Sequence, residues 1–293
     1  MRVLHLDSGK SMRGGQWQAL ALINGLRELG VEQILLAPAG SPLAQKAAAL
    51  PVDVKALGIK MVLAGAQEAD LLHAHDAKSH TLAVLQGKKP VVVSRRVAFP
   101  VKRSPLSRWK YARAAKFIAV SKFVAGVLRQ AGVPERKIAV VYDGVPLTGP
   151  AQSRGLIVAP ATDDPAKGSS LLRDAGCEVM FSDDLPRDIQ HAAVLAYITY
   201  SEGLGSAALL AMAAGVPVVA SRVGGLIEVV DHGRTGLLVE NDAAQIRGAI
   251  AKILQDPRLA ADMGARARQR AKEHFSADRM VRQTMRIYEE VLA

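Results

Sequence analysis

The segment Ser201–Pro217, SEGLGSAALLAMAAGVP, carries the sharpest chemistry in this 293-residue chain. An apolar run ends near Tyr200. Glu202, Gly203, Leu204 and Gly205 then form a tight loop, and a helix of small residues is predicted to start near Ser206. Glycines let the backbone approach a ligand closely, and the amides at a helix start favour negative charge. The Glu202 carboxylate can accept hydrogen bonds from sugar hydroxyls. An ordinary strand-to-helix turn is the plainer alternative. A second cluster holds His73, His75, Asp76 and His80. Two histidines one residue apart on an extended segment share a face, as some metal sites require. Asp76 follows His75 directly, which departs from the usual hydrolase spacing. A polar-ligand contact by His75 or a structural histidine therefore stands ahead of a metal ligand, and no metal site is assigned. The single cysteine, Cys177, excludes a disulfide or a multi-thiolate metal centre within the chain.

These residues need a scaffold, and the chain reads as short apolar strands alternating with helices. Strands are predicted at Arg2–Asp7, Gln33–Ala37, Asp70–His73, Pro90–Ser94, Lys116–Val120 and Lys137–Val141. Gly14 and Gly15 open a helix that runs to about Leu29. The segment Tyr142–Gly155, with three Gly and two Pro, reads as a linker. Beyond it, strands are predicted at Leu156–Ala159, Glu178–Phe181, Val194–Thr199 and Val216–Ala220. Helices are expected from Gly168, Asp188, Gly205 and Asp242, and helical chain from Pro257 to the end with Ser276 as a cap. Alternation of this kind predicts an α/β protein with two doubly wound, Rossmann-like domains, residues 1–147 and 148–293. Ligands in such sheets sit beyond the carboxyl ends of the strands, here in a cleft that the two domains face.

Composition narrows the partners. Apolar residues make up 49% of the chain and charged residues 22%, a globular balance. No apolar run has the length of a membrane span, and the start MRVLHLDSGK lacks the long apolar stretch of a signal peptide, so a cytoplasmic protein is expected. Lys and Arg number 38 against 27 Asp and Glu, for a net charge of +11. Residues 1–147 carry 22 basic and 9 acidic side chains (22 − 9 = +13), whereas residues 148–293 carry 16 and 18 (16 − 18 = −2). From Ala77 to Pro134 there is no acidic residue, while Phe99, Trp109 and Tyr111 lie among the basic ones. That mixture suits an anionic membrane surface. A solvated basic face is the plainer alternative, and nucleic acid is the least favoured partner.

Several motifs in order resemble one family. GGQ at Gly14–Gln16, DLLHAHDAKSH at Asp70–His80, SRRVAFP at Ser94–Pro100 and FIAVSKFVAGVL at Phe117–Leu128 are similar to its first half. VVYDGV, PAKG at Pro165–Gly168, EGLG, AMAAGVPVVAS, GGLIEVV and GRTGLLV are similar to the remainder. The chain thus resembles the retaining nucleotide-sugar glycosyltransferases of the GT-B fold in the large family four, or group 1. The resemblance implies that Lys167 neutralises the donor diphosphate and that Glu202 contacts the donor sugar, with Gly203, Leu204 and Gly205 in the same loop. It places Gly14 and Gly15 against donor phosphates or acceptor, and His75 beside the reacting groups. Arg95 and Arg96 fall on the acceptor side. With Lys102, Arg103 and Trp109 they form the expected acceptor or membrane face. It implies no cofactor and no metal, and a last helix that crosses back to the first domain.

Three departures accompany the resemblance. Leu210 stands where the family has a second glutamate that holds the ribose. Thr162 stands near an expected arginine, followed by Asp163 and Asp164, which would repel a diphosphate. After Leu172 a strand and a helix are missing, so the second domain is reduced. The leading expectation is an enzyme that moves a sugar with retention to a saccharide or lipid-linked acceptor, in cell-envelope polysaccharide or lipopolysaccharide synthesis, acting as a peripheral protein on the inner membrane face. The alternative is a non-catalytic relative that binds saccharide, anionic lipid or a partner protein.

Overall fold

The computed structural model describes residues 1–102, 104–147 and 149–293. The chain divides into two compact units. Met1–Tyr142 and Ala277–Ala293 form the first, and Asp143–Ser276 the second. The last helix therefore belongs to the first unit, and the boundary precedes most of the Gly/Pro-rich segment.

The first unit holds β1 (Arg2–Leu6), β2 (Glu32–Ala37), β3 (Asp53–Ala56), β4 (Leu71–Ala74), β5 (Val91–Arg95), β6 (Lys116–Ala119) and β7 (Ile138–Val140). Their order is β3-β2-β1-β4-β5-β6-β7, all parallel. The order reverses between β1 and β4, and the loops leaving those strands diverge there. Helices cover the sheet because a parallel sheet buries both faces. Helix Gly14–Glu28 packs Leu22 and Leu26 with Val3, Leu71 and Val92, and helix Ala277–Leu292 adds Val281, Ile287 and Tyr288 to that core. A Cβ at Gly25 would collide with the Val281 side chain, so only glycine lets these two helices pack as they do. Each such aliphatic side chain contributes about 1.5–3 kcal/mol by leaving water.

The second unit holds β8 (Leu156–Pro160), β9 (Val179–Ser182), β10 (Ala192–Tyr197), β11 (Val218–Ser221) and β12 (Gly236–Val239). Their order is β12-β11-β10-β8-β9, again all parallel, with the reversal between β8 and β10. Its core joins Ile157, Val194, Ala196, Val219 and Leu237 to Ile246, Ile250 and Ile253 of helix Ala243–Gln255.

Two strands escape the sequence pattern. β3 is the four-residue DVKA at a sheet edge, only partly buried, so it lacks an apolar run. β12 is GLLV, fully buried, but the glycine-bearing GRTG directly before and into it reads as a loop. Asp188 does not start a helix. It ends the turn Leu185–Asp188, which Asp184 caps through the Arg187 amide, and Ile189–His191 continues as a 3-10 turn. No helix among the described residues is long and apolar enough to cross a membrane.

Candidate functional site

In the first unit, polar side chains converge at the carboxyl ends of β1, β4 and β5. Asp7 follows β1 and is fully buried. Its carboxylate accepts from the Gly9 amide at 2.8 Å and from Gln16 Nε2 at 3.1 Å on each oxygen. A Cβ on Gly9 would strike Gln16 and Asp7, so glycine there permits the tight loop. Burial pushes the Asp7 carboxyl above its ordinary value, against the pull of those hydrogen bonds. Asp76 follows β4 and caps helix Ala77–Leu85 through the Lys78 and Ser79 amides at 2.8 and 3.0 Å. It also accepts from the Ser79 hydroxyl at 2.6 Å, the Ser8 amide at 2.6 Å and the Ser8 hydroxyl at 2.7 Å. Burial would raise its pKa, but the bonds from Ser79 and Ser8 outweigh burial and hold it below the ordinary value. One carboxylate thereby ties the β1 loop to the helix after β4.

His75 is buried between these loops, with Nε2 at 3.0 Å from His5 Nδ1 and Nδ1 at 3.4 Å from Arg96 Nη1. Burial, then His73 and Arg96, keep its imidazole neutral by lowering its pKa well below the ordinary value. His5, His73 and His75 each offer a ring nitrogen within 4.8 Å of the others, a set with the donor chemistry for a metal ion. Their nitrogens are already committed: His5 Nε2 to Gln33, and His73 to Tyr288 and Ser94. Gly14 and Gly15 open helix Gly14–Glu28, and a Cβ added to Gly15 would come to 3.8 Å from the Arg96 side chain. Arg95 turns inward instead, donating to the Tyr111 hydroxyl at 3.0 Å and to the Phe99 carbonyl. Lys102 is exposed, and Arg113 stacks on the Trp109 ring at 4.9 Å. Arg103 lies outside the described residues. Phe99 (67%), Leu106 (65%) and Val97 (45%) are exposed and lie in the same basic stretch of sequence.

In the second unit the site forms where the loops after β8 and β10 meet. After β8 the chain makes the turn Pro165–Lys167, capped by the Asp164 side chain on the Ala166 amide at 3.0 Å. Thr162 Oγ1 accepts from the Asp164 amide, so both residues shape the turn. Gly168 follows with φ 62°, packed against the Ile198 carbonyl, where a side chain would be both strained and crowded. The Tyr200 amide and the Thr199 hydroxyl donate to the Ala166 carbonyl at 2.9 and 3.1 Å, which fastens this turn to the loop after β10.

That fastening brings Lys167 Nζ to 2.8 Å from Glu202 Oε2. The Tyr197 hydroxyl donates to the same oxygen at 2.5 Å, and the Gly203 amide donates to Oε1 at 3.0 Å. Burial and the Glu202 charge raise the Tyr197 pKa well above the ordinary value, so it remains a donor. Leu204 is buried, and Gly205, at φ 111°, leads into helix Ser206–Ala213 with no room for a Cβ beside Leu226. The Glu202 carbonyl accepts from the Gly225 amide at 3.0 Å, and Gly224 and Gly225 approach the loop backbone too closely for any side chain. The two glycine motifs therefore hold each other. Leu210 is half-buried on helix Ser206–Ala213. A lysine, a carboxylate and a helix start in one place can bind an anion and a hydroxyl-rich group together.

Sequence reasoning brought together Lys167, Glu202, Gly203 and Gly205, and separately His75, Arg96 and Gly15. It missed Tyr197, whose signal was a hydroxyl at the end of an otherwise apolar strand. It also missed Asp7, Ser8, His5 and Gln33, which become partners only through sheet register.

Comparison with known proteins adds matches to glycosyltransferases. The model for glycosyltransferase family 4 matches residues 12–148, and that for group 1 glycosyl transferases matches residues 177–270. The N-acetyl-alpha-D-glucosaminyl L-malate synthase of Bacillus anthracis is 40% identical over 96 residues, 32% of this chain and 25% of that protein. The D-inositol 3-phosphate glycosyltransferase of Streptomyces scabiei is 32% identical over 190 residues, 58% of this chain and 41% of that one. The matched stretches thus span a quarter to two fifths of these relatives. The solved structure of Anabaena HepE in complex with UDP and glucose matches with TM-score 0.87 at 18% identity, covering 98% of this chain and 99% of that one. Sucrose-phosphate synthase of Thermosynechococcus elongatus matches with TM-score 0.80 at 17% identity, covering 99% and 98%. The fold is that of the GT-B glycosyltransferases, and the chain matches glycosyltransferase models along most of its length, family 4 over residues 12–148 and group 1 over residues 177–270.

Proposed function

We propose that this chain transfers a sugar, with retention, from a nucleotide-sugar donor bound by the second unit to an acceptor bound by the first. The observation that carries the reading is the Lys167–Glu202 pair at 2.8 Å, set beside a helix start at the switch point of a parallel sheet. Lys167 is placed to leave Glu202 for the donor diphosphate, where positive charge stabilises the leaving group as it gathers charge. Glu202 then keeps Tyr197 and Gly203 as partners and turns its remaining lone pairs to the donor sugar. The leaving phosphate oxygen takes the proton of the acceptor hydroxyl, and no metal is needed for that step. The solved UDP-glucose complex of HepE makes UDP-glucose the first donor to try.

On the first unit, Arg96, Gly15 and the neutral His75 suit a hydroxyl-bearing acceptor with an anionic group. The exposed Phe99, Leu106 and Val97 among basic residues suit an acceptor presented at an anionic membrane. Envelope polysaccharide or lipopolysaccharide synthesis fits that acceptor. Release of UDP from UDP-sugar, followed with and without candidate acceptors, tests the assignment. Glu202→Ala abolishes release while Glu240→Ala leaves it intact; unchanged release in Glu202→Ala removes Glu202 from the reaction. Leu210 and Thr162 favour a second reading, a relative that binds saccharide or lipid without transfer. It predicts no nucleotide binding and intact association with anionic vesicles.

A further inference from the structure

One face of the first-unit sheet carries a buried polar stripe. Register fixes it. Val3 of β1 pairs with Gln33 of β2, and His5, two residues on, pairs with His73 of β4. His73 in turn pairs with Val92 of β5, which puts Ser94 two residues further along the same face. Side chains two apart share a face, so Gln33, His5, His73 and Ser94 line up across four strands, with His75 and Arg96 just beyond their ends. Gln33, His5, His73, His75 and Ser94 are all buried. Leucine or valine at these positions would bury as well without needing partners, so the polar residues call for a reason beyond stability.

The hydrogen bonds give the stripe a direction. Gln33 Nε2 donates to the Ile23 carbonyl at 2.9 Å, and a carbonyl only accepts. The Gln33 amide is therefore pinned, and its Oε1 faces His5 Nε2 at 3.1 Å. His5 must donate there from Nε2–H. Burial lowers the His5 pKa to about 3, so the ring is neutral and its Nδ1 is an acceptor. His75 Nε2, 3.0 Å away, must then be the donor. A neutral His75 with its proton on Nε2 has a bare Nδ1, which accepts from Arg96 Nη1 at 3.4 Å. Every bond follows from the one before it, starting at a main-chain carbonyl of helix Gly14–Glu28. His73 stands outside this chain, with Nδ1 at 2.5 Å from Tyr288 Oη and Nε2 at 2.8 Å from Ser94 Oγ, hydroxyls that can donate or accept.

We propose that Gln33 and His5 are positioning residues that hold His75 as its Nε2–H tautomer, so that His75 meets the substrate side with an acceptor nitrogen next to the Arg96 guanidinium. The one lone pair of that nitrogen holds the Arg96 guanidinium, and it passes to a substrate hydroxyl when Arg96 turns to an anionic group. The opposite tautomer would point an N–H at both the guanidinium and that hydroxyl. The benefit to turnover rests on the transferase reading above; the tautomer itself does not.

The test is the long-range 15N–1H correlation spectrum of the full chain labelled at histidine, at pH 7. His5→Gln and His75→Gln assign the two rings. Both rings are expected neutral with the proton on Nε2. A His75 proton on Nδ1, or a charged His75, overturns the proposal, and this measurement needs no folded variant at position 33. Gln33→Leu keeps the volume and removes the anchor. In it His75 becomes a mixture of tautomers, and kcat falls about 10–100-fold with donor KM within about twofold, the loss expected when a reacting contact is misplaced. An unchanged His75 pattern or an unchanged kcat in Gln33→Leu overturns the positioning role. A chain that transfers no sugar but shows the Nε2–H pattern removes the transferase reading and leaves the tautomer assignment supported.

Discussion

Asp76 offers the sharpest test of how the first-unit site is held. In Asp76→Ala, helix Ala77–Leu85 loses its cap, and the amide and hydroxyl of Ser8 lose their acceptor. A lost cap costs about 1 kcal/mol. Hydrogen bonds to a charged group are worth about 1.5–3 kcal/mol each, and the part-buried Ser8 donors regain some of that from water. The sum is about 2–4 kcal/mol. At about 2–4 °C per kcal/mol for a unit of this size, the first unit should melt about 5–15 °C lower. Asp76→Ser restores the cap but not the Ser8 pair and should recover about 1 kcal/mol. The effect carries a pH signature. The folded-state pKa of Asp76 lies below its ordinary value of 3.8. Its contribution is therefore fully present above that value and disappears as pH falls through the folded pKa. The gap between wild type and Asp76→Ala should accordingly close in acid. Calorimetry at pH 7 and below pH 4 reads both. A change under about 1 °C at pH 7, or a gap that widens in acid, refutes the reasoning.

Two further outcomes follow from the first unit. His5 and His80 stay neutral down to about pH 3, while the unfolded chain binds protons below pH 6.5. Depressed folded pKa values make stability fall as pH drops from 6.5 towards 3, by up to about 1.4 kcal/mol per pH unit for each ring; denaturant unfolding at pH 7, 6 and 5 shows a decline, and a flat profile contradicts it. Phe99→Ser with Leu106→Ser should weaken sedimentation with anionic vesicles at least tenfold without affecting nucleotide binding, and equal sedimentation of the double variant argues against a membrane face there.

The strand pattern was legible because parallel strands buried on both faces leave apolar runs that turn chemistry interrupts. Only DVKA and GLLV escaped, the first for want of apolar residues and the second because the glycines of GRTG mark a loop. The loop after β10 was legible because glycines are demanded there. Gly205 and Gly168 have positive φ, and Gly224 and Gly225 lie against the loop backbone. Tyr197 and the Gln33–His5–His75 line were not legible, because those contacts depend on which strands become neighbours and in what register. The role of Arg95 was obscured for a related reason. Its charge suggested a ligand, but the fold spends the guanidinium on Tyr111 and the Phe99 carbonyl. Asp163 and Asp164 looked repulsive in sequence, yet Asp164 serves as the cap of the turn that presents Lys167.

The central claim is that the Lys167–Glu202 pair opens to receive a nucleoside diphosphate. Thermal unfolding of the chain with millimolar UDP, GDP, ADP, CDP and dTDP tests it most directly, since a ligand of the folded state stabilises by RT ln(1 + [L]/Kd). One nucleotide at about 100 times its Kd should add about 2.7 kcal/mol, and the Lys167→Ala variant should bind it roughly 10–150-fold more weakly, the worth of one charge-assisted bond. No shift with any of the five, or an equal shift in Lys167→Ala, would contradict it.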